Sequence, residues 1–189
     1  MVRWGNWIKE KGPKILKAAG IKKGDIVLDF GARKGDYSLP AATLVGKQGE
    51  VFALDMDGQA LRKCKKRAKR YSLANLTPIE TEGQFCLDVD SSSVDVVLLF
   101  DVLHYFTLQE RRKLYSETRR ILKSKGLLIA FPQHNKDSYP LWNLSTWSIE
   151  DIKNEIENSG FKFYKECQCR LIHDHAWWEN GLILTFSTW

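Results

Sequence analysis

Asp55 closes the apolar run Glu50-Val51-Phe52-Ala53-Leu54, and Gly31 and Gly35 punctuate the turn after an earlier run, Ile26–Phe30. A strand, a glycine-bearing turn and a helix start present backbone N–H groups and a positive helix end at the strand's carboxyl edge. A carboxylate ending the next strand commonly hydrogen-bonds a ribose diol, which points to a nucleoside rather than a bare phosphate. Met56 follows as an adaptable apolar surface for an adenine face. In Gly-x-Gly-x-x-Gly register the three positions hold Gly31, Arg33 and Asp36, so two of the three glycines fail, and the turn has no Gly-Lys-Ser/Thr. A nicotinamide dehydrogenase is therefore disfavoured, and a nucleoside with little or no phosphate remains.

Two other groups have the residue types for chemistry. Cys167, Cys169, His173 and His175 look like a metal quartet. On one extended strand they share a face, but positions 167 and 175 would stand about 26 Å apart at ~3.3 Å per residue. Ligand atoms must lie about 2 Å from one ion. No metal is expected, and Cys167 and Cys169 read as small buried residues of a hairpin. Arg62-Lys63-Cys64-Lys65-Lys66-Arg67-Ala68-Lys69-Arg70 is the strongest charge run. Phosphate contacts are its obvious use, a solvated helix face its plainer one.

These residues need a frame. The chain has 189 residues, 43% hydrophobic and 28% charged, with net charge +6, which suits one soluble domain over residues 1–189. The basic balance permits an anionic partner without requiring one. Four cysteines without secreted spacing, no signal peptide and no apolar run of membrane length point to a reducing, cytoplasmic setting and no membrane. Residues 1–24 carry a patchy helical pattern interrupted by Pro13, either a helix packed on a sheet or a flap over a cofactor.

After Ile26–Phe30 the spacing predicts a helix over Tyr37–Val45, a strand Glu50–Leu54, a basic helix over 57–71, and a strand Thr77–Thr81. A buried strand Val94–Phe100, a helix Leu108–Leu122 and a strand Leu127–Phe131 follow. Such alternation implies a right-handed parallel sheet covered by helices. Ser148 and Asp151 form the ends of a near capping box opening a helix that stops at Ser159-Gly160. Phe161–Arg170 and Gly181–Trp189 then read as an antiparallel pair.

The run Val27-Leu28-Asp29-Phe30-Gly31-Ala32-Arg33-Lys34-Gly35 resembles the first motif of class I S-adenosylmethionine-dependent methyltransferases, and Val51–Asp55 resembles the second. Ser93–His104 resembles the fourth-strand motif of the small-molecule subgroup that includes the ubiquinone and menaquinone methyltransferases. Arg120–Ile129 resembles the fifth-strand entry, and Trp147–Phe161 the helix before the terminal hairpin. Together they span about residues 20–189, in order and at familiar spacing.

The resemblance implies an α/β, Rossmann-like fold: seven strands, mostly parallel, with a reversed last strand and helices on both faces. It implies S-adenosylmethionine as cofactor and S-adenosylhomocysteine as product. Asp29, Phe30, Gly31, Ala32, Arg33 and Gly35 would belong to the cofactor site, with the backbone of Gly31 to Gly35 facing the methionine part; Asp55 would hold the ribose, and Met56, Glu82 and Gly83 would flank the adenine. Phe100 would lie under the reacting side. The family ordinarily has glycine where this chain has Arg33; a side chain is accommodated there if φ is negative, and it could reach the methionine carboxylate or point to solvent.

On the acceptor side stand Asp101, His104, Tyr105 and His134. His104 could act as a base for a phenol, amine or thiol, or simply pack against the cofactor or the next helix, the plainer role. Asp101 could contact a substrate amine or cap the following segment. Tyr139, Trp142, Trp147 and Trp177-Trp178 could line an aromatic pocket, or close a small second core or a dimer face. The expected activity is methyl transfer to a small molecule, by a monomer or homodimer. The alternatives are RNA or protein methylation through the basic helix, with nucleic acid not favoured, and non-catalytic S-adenosylmethionine binding.

Overall fold

The computed structural model describes residues 3–83, 85–173 and 177–188. The chain enters through α1 (Trp4–Asn6), a π-helical turn (Trp7–Lys11) and α2 (Gly12–Ala19). The wide turn directly precedes Pro13, whose ring and missing N–H disturb the helical ladder without ending it. Trp7, Ile8 and Leu16 are fully buried, so this segment packs into the core.

Strands and helices then alternate: β1 (Ile26–Phe30), α3 (Ser38–Val45), β2 (Glu50–Asp55), α4 (Gly58–Arg70), β3 (Leu76–Glu80), β4 (Val94–Phe100), α5 (Leu108–Ile121) and β5 (Leu122–Phe131). After α6 (Ile149–Asn158) come β6 (Lys162–His173) and β7 (Trp177–Ser187). The sheet order is β3-β2-β1-β4-β5-β7-β6. The first five strands are parallel to one another, whereas β7 is antiparallel to both β5 and β6. The seven-stranded, mostly parallel sheet with reversed terminal pairing is thus the expected one.

The two-residue period of a strand divides the core between two faces. Val27, Val96 and Leu98 face the layer holding Trp7, Leu16 and Leu39. Their chain neighbours Leu28, Val97 and Leu99 face the layer holding Leu114, Tyr115 and Ile152. Each strand is apolar on both sides, as a doubly covered parallel sheet requires. In α4 the basic run obeys the same logic: Ala60, Leu61, Cys64 and Ala68 are buried, and Arg62, Lys63, Lys65, Lys66, Lys69 and Arg70 are exposed.

Caps set the helix starts near the site. Asp57 accepts from the amides of Gln59 and Ala60 to open α4. Thr107 with Glu110, and Ser148 with Asp151, form capping boxes for α5 and α6. A buried ion pair joins these two helices: Arg111 Nε and Nη2 donate to the Glu155 carboxylate at 2.7 Å each. Among the described residues, no helix is long and apolar enough to cross a membrane.

The hairpin differs from the expectation in length. The pairing of β6 with β7 runs on to Ile172 opposite Trp178 and His173 opposite Trp177, positions read from the sequence as loop. The backbone ladder continues where the apolar alternation has faded. His175 lies outside the described residues.

Candidate active site

The glycine turn leaves β1 at its carboxyl end. Gly31 has φ +78°, and a Cβ there would meet Val102 Cγ1 at 2.4 Å; Gly35 has φ +76°, and a Cβ there would meet Cys64 Sγ at 2.5 Å. Both conformation and space therefore demand glycine. Several amides of the turn are already bonded within the protein. Gly31 and Ala32 donate to the Leu54 carbonyl at 2.8 and 2.9 Å, and Gly35 donates to that of Ala32 at 2.8 Å. The turn is thus stapled to the end of β2, so these three amides are engaged within the protein rather than presented to a ligand.

Arg33 does not meet the condition under which a side chain was expected to fit. Its φ is +47°, in the left-handed region, not negative. Its amide donates to Asp55 Oδ2 at 2.7 Å, and this bond holds the left-handed residue in place. The residue is exposed at the rim. Asp55 Oδ1 accepts from the Asp57 amide at 2.8 Å, so one carboxylate ties the turn to the start of α4. Each carboxylate oxygen keeps a further lone pair for a ligand hydroxyl.

Met56 is 65% exposed beside this carboxylate. A Cβ on Gly83, whose φ is +84°, would lie 2.8 Å from Met56 Sδ. The tips of β2 and β3 are joined by Thr81 N donating to Asp55 O at 3.0 Å, which brings Met56, Glu82 and Gly83 to one edge. An apolar, adaptable side chain against a bare backbone is a cradle suited to a flat ring.

Among the expected cofactor residues, Asp29, Ala32, Gly35 and Phe100 are buried and Phe30 is half-buried. Asp29 is 3% exposed and accepts from Ser38 Oγ at 2.5 Å. Burial, with Asp55 and Asp36 adding negative charge, pushes its carboxyl up to about 7. Phe100 is 5% exposed, its ring 4.5 Å from that of Tyr37 and 6.1 Å from that of Phe131. It supports the floor rather than forming it. Phe30 packs at 6.1 Å from Phe106.

At the ends of β4 and β5 the chain assembles a polar cluster. Asp101 has φ +55° and His134 φ +65°, both left-handed at a strand's carboxyl end. Such outliers persist only where the surroundings over-determine them. Asp101 Oδ2 lies 3.0 Å from His173 Nε2, and the Nε2 atoms of His173 and His134 are also 3.0 Å apart. His173 Nδ1 faces Glu179 Oε2 at 3.1 Å, and that carboxylate also accepts from Gln133 Nε2 at 2.8 Å. His134 Nδ1 reaches the Tyr139 carbonyl at 2.9 Å. The hydrogen bond to Asp101, reinforced by Glu179, outweighs burial and raises His173 to about 9.

His104 is 2% exposed, with Nδ1 3.5 Å from Asp101 Oδ1. Burial lowers it to about 4, against the pull of Asp101, so it is neutral near pH 7. Its ring packs 4.2 Å from Tyr105, 4.5 Å from His134 and 5.3 Å from Trp142. The residue is packed, and it borders the Asp101 carboxylate.

The expected residues thus form two neighbouring groups, the turn with Asp55 and the adenine edge, and Asp101 with His104 and His134. Sequence reasoning missed His173, Glu179 and Gln133 as members of the second. It paired His173 with Cys167 and Cys169, which are only half-buried and lie farther down β6. The signal that could have found the set was histidine and carboxylate residues at strand ends in a predicted parallel sheet.

Comparison with known proteins adds three findings. A family described as "Methyltransferase domain" matches residues 27–126. The chain is 31% identical over 84 residues to the probable cobalt-precorrin-6B C(15)-methyltransferase (decarboxylating) of Sulfurisphaera tokodaii, covering 44% of each chain. It is 25% identical over 138 residues to the 2-phytyl-1,4-naphtoquinone methyltransferase of Trichormus variabilis, covering 72% of this chain and 59% of that one. The chain therefore spans only part of the curated relatives it matches. In fold it is similar to a SAM dependent methyltransferase from Aquifex aeolicus, with TM-score 0.78, 18% identity, and coverage of 98% of this chain and 93% of that one. It is also similar to magnesium protoporphyrin IX methyltransferase from Synechocystis with bound SAM, with TM-score 0.69, 16% identity, and coverage of 98% and 80%.

Proposed function

Because the chain belongs to the methyltransferase-domain family, we propose that it transfers the methyl group of S-adenosylmethionine to a small-molecule acceptor. The observation that carries this reading is Asp55 at the tip of β2, bonded to the Arg33 amide at 2.7 Å, with Met56 lying over Gly83 beside it. A ribose diol fits the remaining lone pairs of the carboxylate, and an adenine fits the thioether and bare backbone. The dinucleotide alternative lacks its glycines. When bound, the cofactor supplies an electrophilic methyl group on a sulfonium.

In-line displacement asks the protein chiefly for alignment and exclusion of water. The stapled turn and Asp55 provide the first by presenting one rigid edge. Leu103 and His104, both buried, and Phe100 beneath them provide a dry floor at the end of β4. Neutral His104 and the Asp101 cluster border that floor and are positioned to accept a proton from an acidic acceptor.

A small-molecule acceptor is favoured over RNA because the exposed cations of α4 lie on the helix between β2 and β3, away from the Asp101 cluster at β4 and β5. The names of the relatives, a precorrin and a naphthoquinone methyltransferase, agree with that choice. Four free cysteines suit a reducing, cytoplasmic setting.

Calorimetry with S-adenosylmethionine and with NAD tests the cofactor. Saturable heat with the first alone is expected, and none with it would sink the proposal. Asp55→Ala should weaken binding by about 1–3 kcal/mol, roughly 5- to 150-fold. Transfer of labelled methyl to extracted metabolites, against extracted RNA and protein, separates the acceptor classes.

A further inference from the structure

We propose that Asp101, His134 and His173 form a binding site for one divalent first-row transition-metal ion at the acceptor end of the sheet. Their donor atoms all lie within 4.8 Å of one another. With bonds of about 2.1 Å, ligands at 90–110° around one ion stand about 3.0–3.4 Å apart. The observed separations are 3.0 Å between the two Nε2 atoms, 3.0 Å from His173 to Asp101 Oδ2, and 3.8 Å from His134 to Asp101 Oδ1.

The outer partners point the same way. His134 Nδ1 faces the Tyr139 carbonyl, which can only accept, so this nitrogen carries the hydrogen. His173 Nδ1 faces the Glu179 carboxylate, which is held in turn by Gln133. In the neutral imidazoles both Nε2 atoms are then acceptors, turned toward each other and toward a carboxylate. Three acceptors converging on one point call for a proton or a cation among them. Without a metal, the proton that His173 holds between Asp101 and Glu179 fills that need, and a metal ion seated on the same three acceptors would displace it. Metal-binding histidines ordinarily have their second nitrogen fixed in this manner. Among the described residues, the buried atoms Asp101 Oδ1 and His104 Nδ1 have no hydrogen-bond partner beside the same point.

The ligands come from three elements: the ends of β4 and β5 and the tip of β6. Two imidazoles and one carboxylate favour zinc, cobalt, nickel or ferrous iron over magnesium or calcium. Three protein ligands leave positions open for an acceptor's oxygen or nitrogen, as in sites that bind substrate rather than brace a fold. Only this last step rests on the proposed methyl transfer; the ion site itself does not.

The test is titration of the full chain, stripped with chelator, with cobalt(II) followed by its visible d–d absorption, and then displacement by zinc. One cobalt per chain is expected. Asp101→Asn and His173→Gln should each weaken it at least about 100-fold, and Glu179→Gln about 10- to 100-fold. The double variant Cys167→Ser/Cys169→Ser should bind as the parent does. No saturable binding up to about 1 mM metal would overturn the site, as would loss of binding in the cysteine variant or unchanged affinity in the other three. Glu179→Gln keeps the test decisive if a ligand variant fails to fold, which circular dichroism reports. Calorimetry with S-adenosylmethionine on the same samples separates the two proposals: cofactor heat without cobalt binding overturns only the ion site, and cobalt binding without cofactor heat overturns only the methyltransferase reading.

Discussion

The Tyr37 hydroxyl donates to the Ile172 carbonyl at 2.7 Å and accepts from the Ile172 amide at 3.1 Å. One side chain thus couples the segment after the glycine turn to β6, one residue before His173. Trp7 braces the same segment from the other side, its indole N–H donating to the Asp36 carbonyl at 2.7 Å. Tyr37→Phe should leave two buried polar groups of Ile172 without this partner and lower stability by about 1–3 kcal/mol. Urea denaturation reads the loss; a midpoint equal to the parent's would show that the bridge contributes nothing.

Asp29 should give stability a distinct pH dependence. Its folded-state pKa is raised from 3.8 to about 7, so folding favours its protonated form. Its contribution is full below about pH 4, declines as pH rises through about 7, and is flat above. Asp29→Asn removes the titration while an amide oxygen still accepts from Ser38. The variant's stability relative to the parent should therefore grow between pH 4 and 7, by a few kcal/mol at most. Denaturation midpoints at constant ionic strength measure it, and a difference independent of pH would refute the assignment.

Arg33 sits at φ +47°, where a side chain costs about 1–2 kcal/mol. Arg33→Gly relieves that strain but gives the unfolded chain more freedom, a cost of about 0.5–1 kcal/mol. A net gain of up to about 1 kcal/mol is expected in urea denaturation. A loss of stability would mean that the contacts of the arginine outweigh its backbone strain.

The Arg111–Glu155 pair, with side chains 1% and 5% exposed, joins α5 to α6 under the Trp147 loop. Arg111→Met leaves Glu155 buried and unpaired and should cost about 3–5 kcal/mol. Arg111→Met/Glu155→Leu replaces both charges by apolar groups and should recover most of that loss. Thermal unfolding of the two variants decides between them, and equal destabilisation would show that packing rather than charge sets the effect.

Much of the frame was legible because its signals are local. The apolar run Val94–Phe100, the capping box at Ser148, the glycines of the turn and Asp55 announce strands, a helix start and the edge where the turn meets β2 through near neighbours in the chain. Strand ends were less legible. The hairpin extended past Arg170 because backbone pairing with β7 continued without apolar alternation. The left-handed backbone of Arg33 was not legible, because it is tied to Asp55, 22 residues away.

The sequence by itself determined the alternating α/β frame and the glycine–Asp55 edge, since periodicity, turn chemistry and side-chain type act over a few residues. Only the tertiary structure decided that His173 belongs with Asp101 and His134. These three lie at the ends of separate strands, and the placing of β7 between β5 and β6 sets His173, the last residue of β6, beside the ends of β4 and β5. The physical reason is that sheet order and register bring distant strand ends within bonding distance, and no local pattern in the chain encodes a 3.0 Å approach between residues 39 positions apart.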